Sequence, residues 1–123
     1  MIKFTDSHEW VALEDDGVCR IGITSFAQQE LGDIVYVALP NLGRTIQAKQ
    51  EVTILESTKA ATDLYAPISG TIAEVNALLK ENPELINQSP EEKGWIYTIS
   101  SSNPEELDSL MDKKQYEAML GKT

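Results

Sequence analysis

The residue best placed to do chemistry is Lys59, in the run Glu56-Ser57-Thr58-Lys59-Ala60. Two strand-like runs flank it. Glu51 to Glu56 (EVTILE) lies before it, and Thr62 to Ala66 lies after it, closed by Pro67-Ile68-Ser69-Gly70. A small polar link between two such runs reads as a hairpin turn, which holds a side chain out in water on a fixed backbone. An exposed amine on a fixed backbone is what an enzyme that attaches a group to lysine needs. Lys59 is also isolated, because no other basic residue lies between Lys49 and Lys80. The pattern equally describes an ordinary solvated turn lysine, since lysine is mostly exposed in any fold.

Other reactive side chains are few. No nucleophile or partner is identifiable beside His8, so it is read as structural. Cys19 sits in an alternating run and is read as a small buried apolar residue. One cysteine and one histidine cannot build a Cys/His zinc site. Trp10 and Trp95 read as core, and Gly70 as a turn residue. No nucleophile, base and acid stand together, so an independent enzyme is not expected.

The elements that must position Lys59 are short apolar runs punctuated by turn residues. Trp10 to Leu13 and Val18 to Ile23 read as a hairpin about Glu14-Asp15-Asp16-Gly17. Thr24 or Ser25 caps a short helix from Phe26 to Leu31, with Gly32 as its stop. Strands follow at Ile34 to Leu39, Thr45 to Ala48, the two runs around Lys59, Gly70 to Val75 and Trp95 to Ile99. Asn76 to Asn82 reads as a short helix broken by Asn82-Pro83, and Asn103-Pro104 opens a helical tail. Many short strands with regular turns predict a small β sandwich or barrel with appended helices.

The chain has 123 residues, a length that fits one domain. Hydrophobic residues make up 41% and charged residues 24%, an ordinary globular balance that argues against disorder. No apolar run approaches the roughly 18 residues of a membrane span. A single cysteine excludes a disulfide scaffold. The net charge is −10, from 20 acidic and 10 basic residues. Nucleic acid and anionic membrane surfaces are therefore not expected partners, because each needs a basic face. The charge serves solubility, or suits a carrier that docks on basic patches of larger proteins. The N-terminus has neither signal- nor transit-peptide character, so a bacterial cytoplasmic location is expected, and a mitochondrial matrix one only with a leader.

Glu56-Ser57-Thr58-Lys59-Ala60 strongly resembles the lipoyl attachment site of the H proteins of the glycine cleavage system. Further blocks resemble the same family in the same order. They are Ser7-His8-Glu9-Trp10, Ile21-Gly22-Ile23-Thr24, Leu31-Gly32-Asp33, Tyr65-Ala66-Pro67-Ile68-Ser69-Gly70, Asn82-Pro83-Glu84-Leu85-Ile86-Asn87 and Gly94-Trp95. The resemblance runs from about Phe4 to Tyr116. It implies a mostly β, barrel-sandwich hybrid of two antiparallel sheets with short helices, including C-terminal ones, in a single carrier domain over 1–123.

The resemblance also implies lipoate attached covalently to Lys59. It implies recognition of Glu56 by the lipoyl-attaching enzyme, and a cleft at Ser7, Glu9 and Asp63 that holds the arm and its aminomethyl load. The implied partners are glycine decarboxylase (P protein), aminomethyltransferase (T protein) and dihydrolipoamide dehydrogenase (L protein), served by a non-catalytic monomer. Read from the residues alone, Glu9 also fits a solvated strand end and Asp63 a turn residue. Two departures from the family pattern stand out. Thr58 precedes the lysine where Val is frequent, and Glu91 follows Ser89-Pro90 where an aromatic residue is frequent. A biotin carrier is the weaker resemblance, since methionines do not flank Lys59. A lipoyl domain of a 2-oxo acid dehydrogenase is weaker too, since those domains are shorter and usually carry Asp before the lysine. A lipoyl relay or store, and an unlipoylated interaction module, would share this sequence.

Overall fold

A computed structural model describes residues 1–121. Among the described residues, nine strands form two antiparallel sheets. The strands are β1 (Ile2–Phe4), β2 (Glu9–Leu13), β3 (Val18–Ile23), β4 (Ile34–Val37), β5 (Thr45–Ile46), β6 (Glu51–Ser57), β7 (Ala61–Tyr65), β8 (Gly70–Val75) and β9 (Tyr97–Ser101). The larger sheet runs β1-β2-β3-β9-β8-β5 and the smaller β4-β6-β7. The expected two-sheet, mostly β class is therefore the observed one. The sheets stay separate rather than closing into a barrel.

Alternation explains how the sheets meet. Along β6, Val52 and Leu55 are buried while Glu51, Ile54 and Glu56 are exposed, with a register shift between Glu51 and Thr53. Val52, Leu55 and Leu64 of the small sheet join Val11, Ile21, Ile72 and Ile99 of the large sheet in one hydrophobic core. Each such side chain contributes about 1.5–3 kcal/mol through burial. The face of the small sheet that carries Glu56 is left to water.

The described residues also include three short α-helices: α1 (Ser25–Leu31), α2 (Glu84–Gln88) and α3 (Lys113–Met119). The Thr24 hydroxyl caps α1 by accepting the Ala27 N–H at 3.2 Å. Gly32 ends it at φ +83°, a conformation open to glycine at little cost. Asp112 and Gln115 cap α3 reciprocally. Phe4 and Met111 exchange backbone hydrogen bonds of 2.8 and 3.0 Å, which ties the C-terminal segment to β1. Phe4 also stacks on Tyr116 of α3, with ring centroids 4.8 Å apart. No helix among the described residues is long and apolar enough to cross a membrane.

Several element bounds differ from expectation, β4 ending at Val37 and β5 at Ile46, and three further details matter. The stretch Ala77–Lys80 is a 3-10 turn, with α2 following Pro83. The last strand begins at Tyr97 rather than Trp95, because the Trp95 N–H turns back to the Glu92 carbonyl at 3.2 Å. Gly70 does not serve a turn by its dihedral freedom. It lies where β8 meets β9, and a Cβ there would run into the Ser100 carbonyl.

Candidate functional site

Lys59 sits in the β6–β7 turn and is exposed. The Ser57 N–H donates to the Ala60 carbonyl at 2.8 Å. The Ser57 hydroxyl oxygen accepts the N–H groups of Lys59 and Ala60, each at 3.1 Å. One side chain thus satisfies the two donors that a tight turn leaves open. From outside the hairpin, the Thr58 N–H donates to the Asp33 carbonyl at 3.0 Å. The Lys59 stem then passes over Gly32, whose ideal Cβ would lie 3.3 Å from Lys59 Cε. The backbone is held from both sides while the amine stays out, and among the described residues that amine makes no ion pair. Glu56 is exposed on β6, paired in register with Ala61 on one side and Tyr36 on the other.

Beside the hairpin lies a cleft of about 240 Å³. Its apolar walls include Ile23, Phe26, Leu31, Leu55 and Leu64, and its polar lining includes Ser7, Glu9 and Asp63. The fold therefore brings together the three residues expected to share a cleft. Asp63 is exposed, opposite Ile54 in the β6–β7 register, and makes no side-chain hydrogen bond among the described residues. It does not stabilise the hairpin turn as a turn residue would. Ser7 and Glu9 also line a wider hollow of about 610 Å³ with Lys49, Met111 and Met119, which Asp63 does not reach.

Glu9 is only 2% exposed, so it is not a solvated strand end. Its Oε1 accepts hydrogen bonds from the hydroxyls of Thr5 and Ser7, both at 2.6 Å, and its Oε2 accepts the Tyr65 N–H at 3.4 Å. Burial pushes the carboxyl above its ordinary value, and the Ser7 and Thr5 hydroxyls pull the other way without cancelling it. The result is a desolvated acid with a preset orientation.

His8 is not placed as a base. Its Nδ1 lies 2.7 Å from the Tyr116 hydroxyl and its ring packs on Phe26. Cys19 is buried, and burial raises its thiol. Trp10 is core, with its indole N–H donated to the Pro90 carbonyl at 2.9 Å. Arg20 lies over the Trp95 ring, 5.1 Å from its centroid. Among the described residues no group of His, Cys, Asp or Glu has the arrangement of a metal site.

Sequence reasoning missed Thr5, which orients Glu9, and Tyr116, which reaches His8 from the far end of the chain. It also missed what Glu91 does. The Glu91 Oε2 accepts the Ser25 N–H at 2.8 Å, so the departure from the family pattern places a carboxylate on the first turn of α1.

Fold and site together define a two-sheet β scaffold that displays one lysine on a stapled hairpin beside an acid-ended apolar cleft. A family model described as "Glycine cleavage H-protein" matches residues 2–123. The chain is 46% identical over 119 residues to a glycine cleavage system H protein of Psychrobacter sp. (strain PRwf-1), covering 97% of this chain and 94% of that one. It is 50% identical over 115 residues to the corresponding protein of Vibrio vulnificus (strain YJ016), covering 94% and 91%. A crystal structure of a glycine cleavage system H protein from Mycobacterium marinum superposes with a TM-score of 0.88 at 37% identity, covering 98% of this chain and 96% of that one. The chain belongs to the glycine cleavage H-protein family.

Proposed function

We propose that this chain is the lipoyl carrier of a glycine cleavage system, with lipoate on Lys59, acting as one non-catalytic unit over 1–123 in the cytoplasm. It would receive the aminomethyl group of glycine at the P protein, present it to the T protein, and be returned to its oxidised form by the L protein. The observation that carries this reading is the juxtaposition of an exposed lysine on an ordered turn with a cleft that gathers Ser7, Glu9 and Asp63.

The residues present fit the group. A lipoyl-lysine arm spans on the order of 14 Å, about four residues of extended chain. Asp63 lies in β7, four residues on from Lys59, a separation that extended chain spans in at most about 13 Å. The walls of Ile23, Phe26, Leu31, Leu55 and Leu64 suit an aliphatic chain and exclude water from it. When bound, the group supplies a disulfide that takes up the one-carbon unit together with the electrons of decarboxylation. Everything else falls to the protein. Glu9 accepts a charge-assisted hydrogen bond from the ammonium of the load, which its burial strengthens. Thr5 and Ser7 hold that carboxylate in place, and Asp63 adds a second acid at the rim. Glu56 presents an acid on the exposed face beside the lysine for the enzyme that attaches the arm.

Mass spectrometry of the Lys59 peptide from native cells tests the reading. One lipoyl group on Lys59 is expected, and a uniformly bare lysine in cells that lipoylate other proteins overturns it. Lys59→Arg should abolish glycine cleavage in a reconstituted P, T and L system. Its unfolding free energy should stay within about 0.5 kcal/mol of wild type, because the side chain is exposed.

A further inference from the structure

The C-terminal helix carries a hydroxyl that reaches both walls of the cleft without lining it. The Tyr116 hydroxyl lies 2.7 Å from His8 Nδ1 and 2.8 Å from Thr24 Oγ1. His8 belongs to the wall formed by the turn before β2, next to Ser7 and Glu9. Thr24 caps α1, the helix that supplies Phe26, Ala27, Glu30 and Leu31 to the opposite wall. The two walls touch where His8 packs on Phe26, with ring centroids 4.8 Å apart.

We infer that Tyr116 is a positioning residue, and that α3 acts through it as a clamp setting the spacing and orientation of the two walls that hold the loaded arm. The inference rests on the carrier reading above.

With His8 as the Nε2–H tautomer, the Ala27 N–H, the Thr24 hydroxyl and the Tyr116 hydroxyl each find an acceptor along this chain. The Ala27 N–H can only donate, and it donates to Thr24 Oγ1. The Thr24 hydroxyl then donates to Tyr116, and Tyr116 donates to the Nδ1 lone pair of His8. Bonds aligned in this way reinforce one another. Burial raises the Tyr116 phenol, which keeps it protonated and able to donate.

His8 needs such a restraint. Its φ is +71°, in the left-handed region that residues with a Cβ seldom adopt. Its backbone is fixed at both ends, its N–H donating to the Thr5 carbonyl at 3.2 Å and its carbonyl accepting the Thr24 N–H at 3.0 Å. The Tyr116 hydroxyl fixes the side chain. The ring of Tyr116 is held separately by its stack on Phe4, so removing the hydroxyl leaves the ring in place.

Tyr116→Phe therefore isolates the clamp. Two readouts decide. In the unlipoylated protein, nitrogen NMR of the His8 ring reads the Nδ1 hydrogen bond directly. The variant should shift that resonance together with the amides of Ser25 and Ala27, and changes confined to α3 would overturn the clamp whatever the arm does. In the lipoylated protein loaded through glycine and the P protein, with no T protein present, hydrolysis consumes one water. It releases formaldehyde and ammonia and leaves the dithiol. Tyr116→Phe should speed that release about fivefold, the factor corresponding to one net hydrogen bond of ordinary strength. A wild-type release rate in the variant, with wild-type protein still slower than a loaded peptide of residues 51–66, would overturn the clamp and leave the carrier reading standing. A wild-type protein that is no slower than the peptide would remove the protecting cleft itself, and the clamp with it.

Discussion

Glu9 sets burial against charge, and the conflict has a measurable sign. Its ordinary carboxyl value is 4.5, and in the folded chain burial raises it. Below about that pH the folded and unfolded chains both hold the proton. As pH rises past it, the unfolded chain releases its proton first and the folded chain keeps one until the raised value is passed. The native state binds more protons across that window, so stability falls as pH increases through it. Glu9→Gln cannot ionise and escapes the loss. Urea unfolding of both proteins should show the variant gaining relative to wild type as pH rises above 4.5, and a constant difference would mean that Glu9 is hydrated in solution. Under the proposed carrier role, the same ionised carboxylate accepts the ammonium of the load. Glu9→Gln should therefore leave lipoylation of Lys59 intact, as mass spectrometry would show, while formaldehyde is released faster from the loaded arm. An unchanged release rate would remove Glu9 from the mechanism.

At the scale of elements, the junction between α1 and β4 supports the hairpin. Gly32 turns the chain at φ +83°, and Asp33 then accepts the Thr58 N–H. Gly32→Ala forces a Cβ onto a backbone at φ +83° and ψ −162°, a region essentially reserved for glycine, at a cost of about 1–3 kcal/mol, and pushes it toward the Lys59 stem. Thermal unfolding should report that cost, and the amides of Thr58 and Lys59 should exchange faster than in wild type. This hairpin was the most legible part of the sequence, because alternation, turn chemistry and a lone lysine coincide there. The Gly32 stop and a cap at Thr24 or Ser25 were legible for the same local reason, and Thr24 is the residue that caps. β1 and α2 were not. Three residues of β1 acquire strand character only by pairing with β2 and Met111. The five residues of α2 have no side-chain cap to announce them. In a chain with 20 acidic residues, nothing local distinguishes Glu9 or Asp63, so only the family resemblance pointed to them. Thr5 and Tyr116 matter through the way a turn closes and through a contact spanning 108 residues, neither of which has a periodicity to read.

At the scale of the molecule, one core takes side chains from both sheets, while the β6–β7 turn and the outer face of the small sheet stay outside it. What reaches a partner first is therefore the electric field. Attaching an acyl group to Lys59 converts an ammonium into a neutral amide, taking the net charge from −10 to −11. The acids near the hairpin, Asp33, Glu51, Glu56 and Asp63, are all exposed. Their field extends over a screening length of about 30 Å at 0.01 M salt and about 3 Å at 1 M. Association of the lipoylated protein with the P protein should slow by about tenfold or more across that range if docking is steered by charge. Position matters as much as total charge. Replacing Asp33 and Glu51 by their amides should slow association more than replacing Glu105 and Asp108, which are also exposed but belong to the 3-10 segment Pro104–Ser109. Stopped-flow measurements on the two double variants separate the cases. Equal effects would mean that net charge alone steers the encounter. A larger effect at Asp33 and Glu51 would mean that the acids around the hairpin orient the lysine toward its partner before contact, and a rate indifferent to salt would mean that docking depends on the exposed Tyr36 and Ile54 beside it.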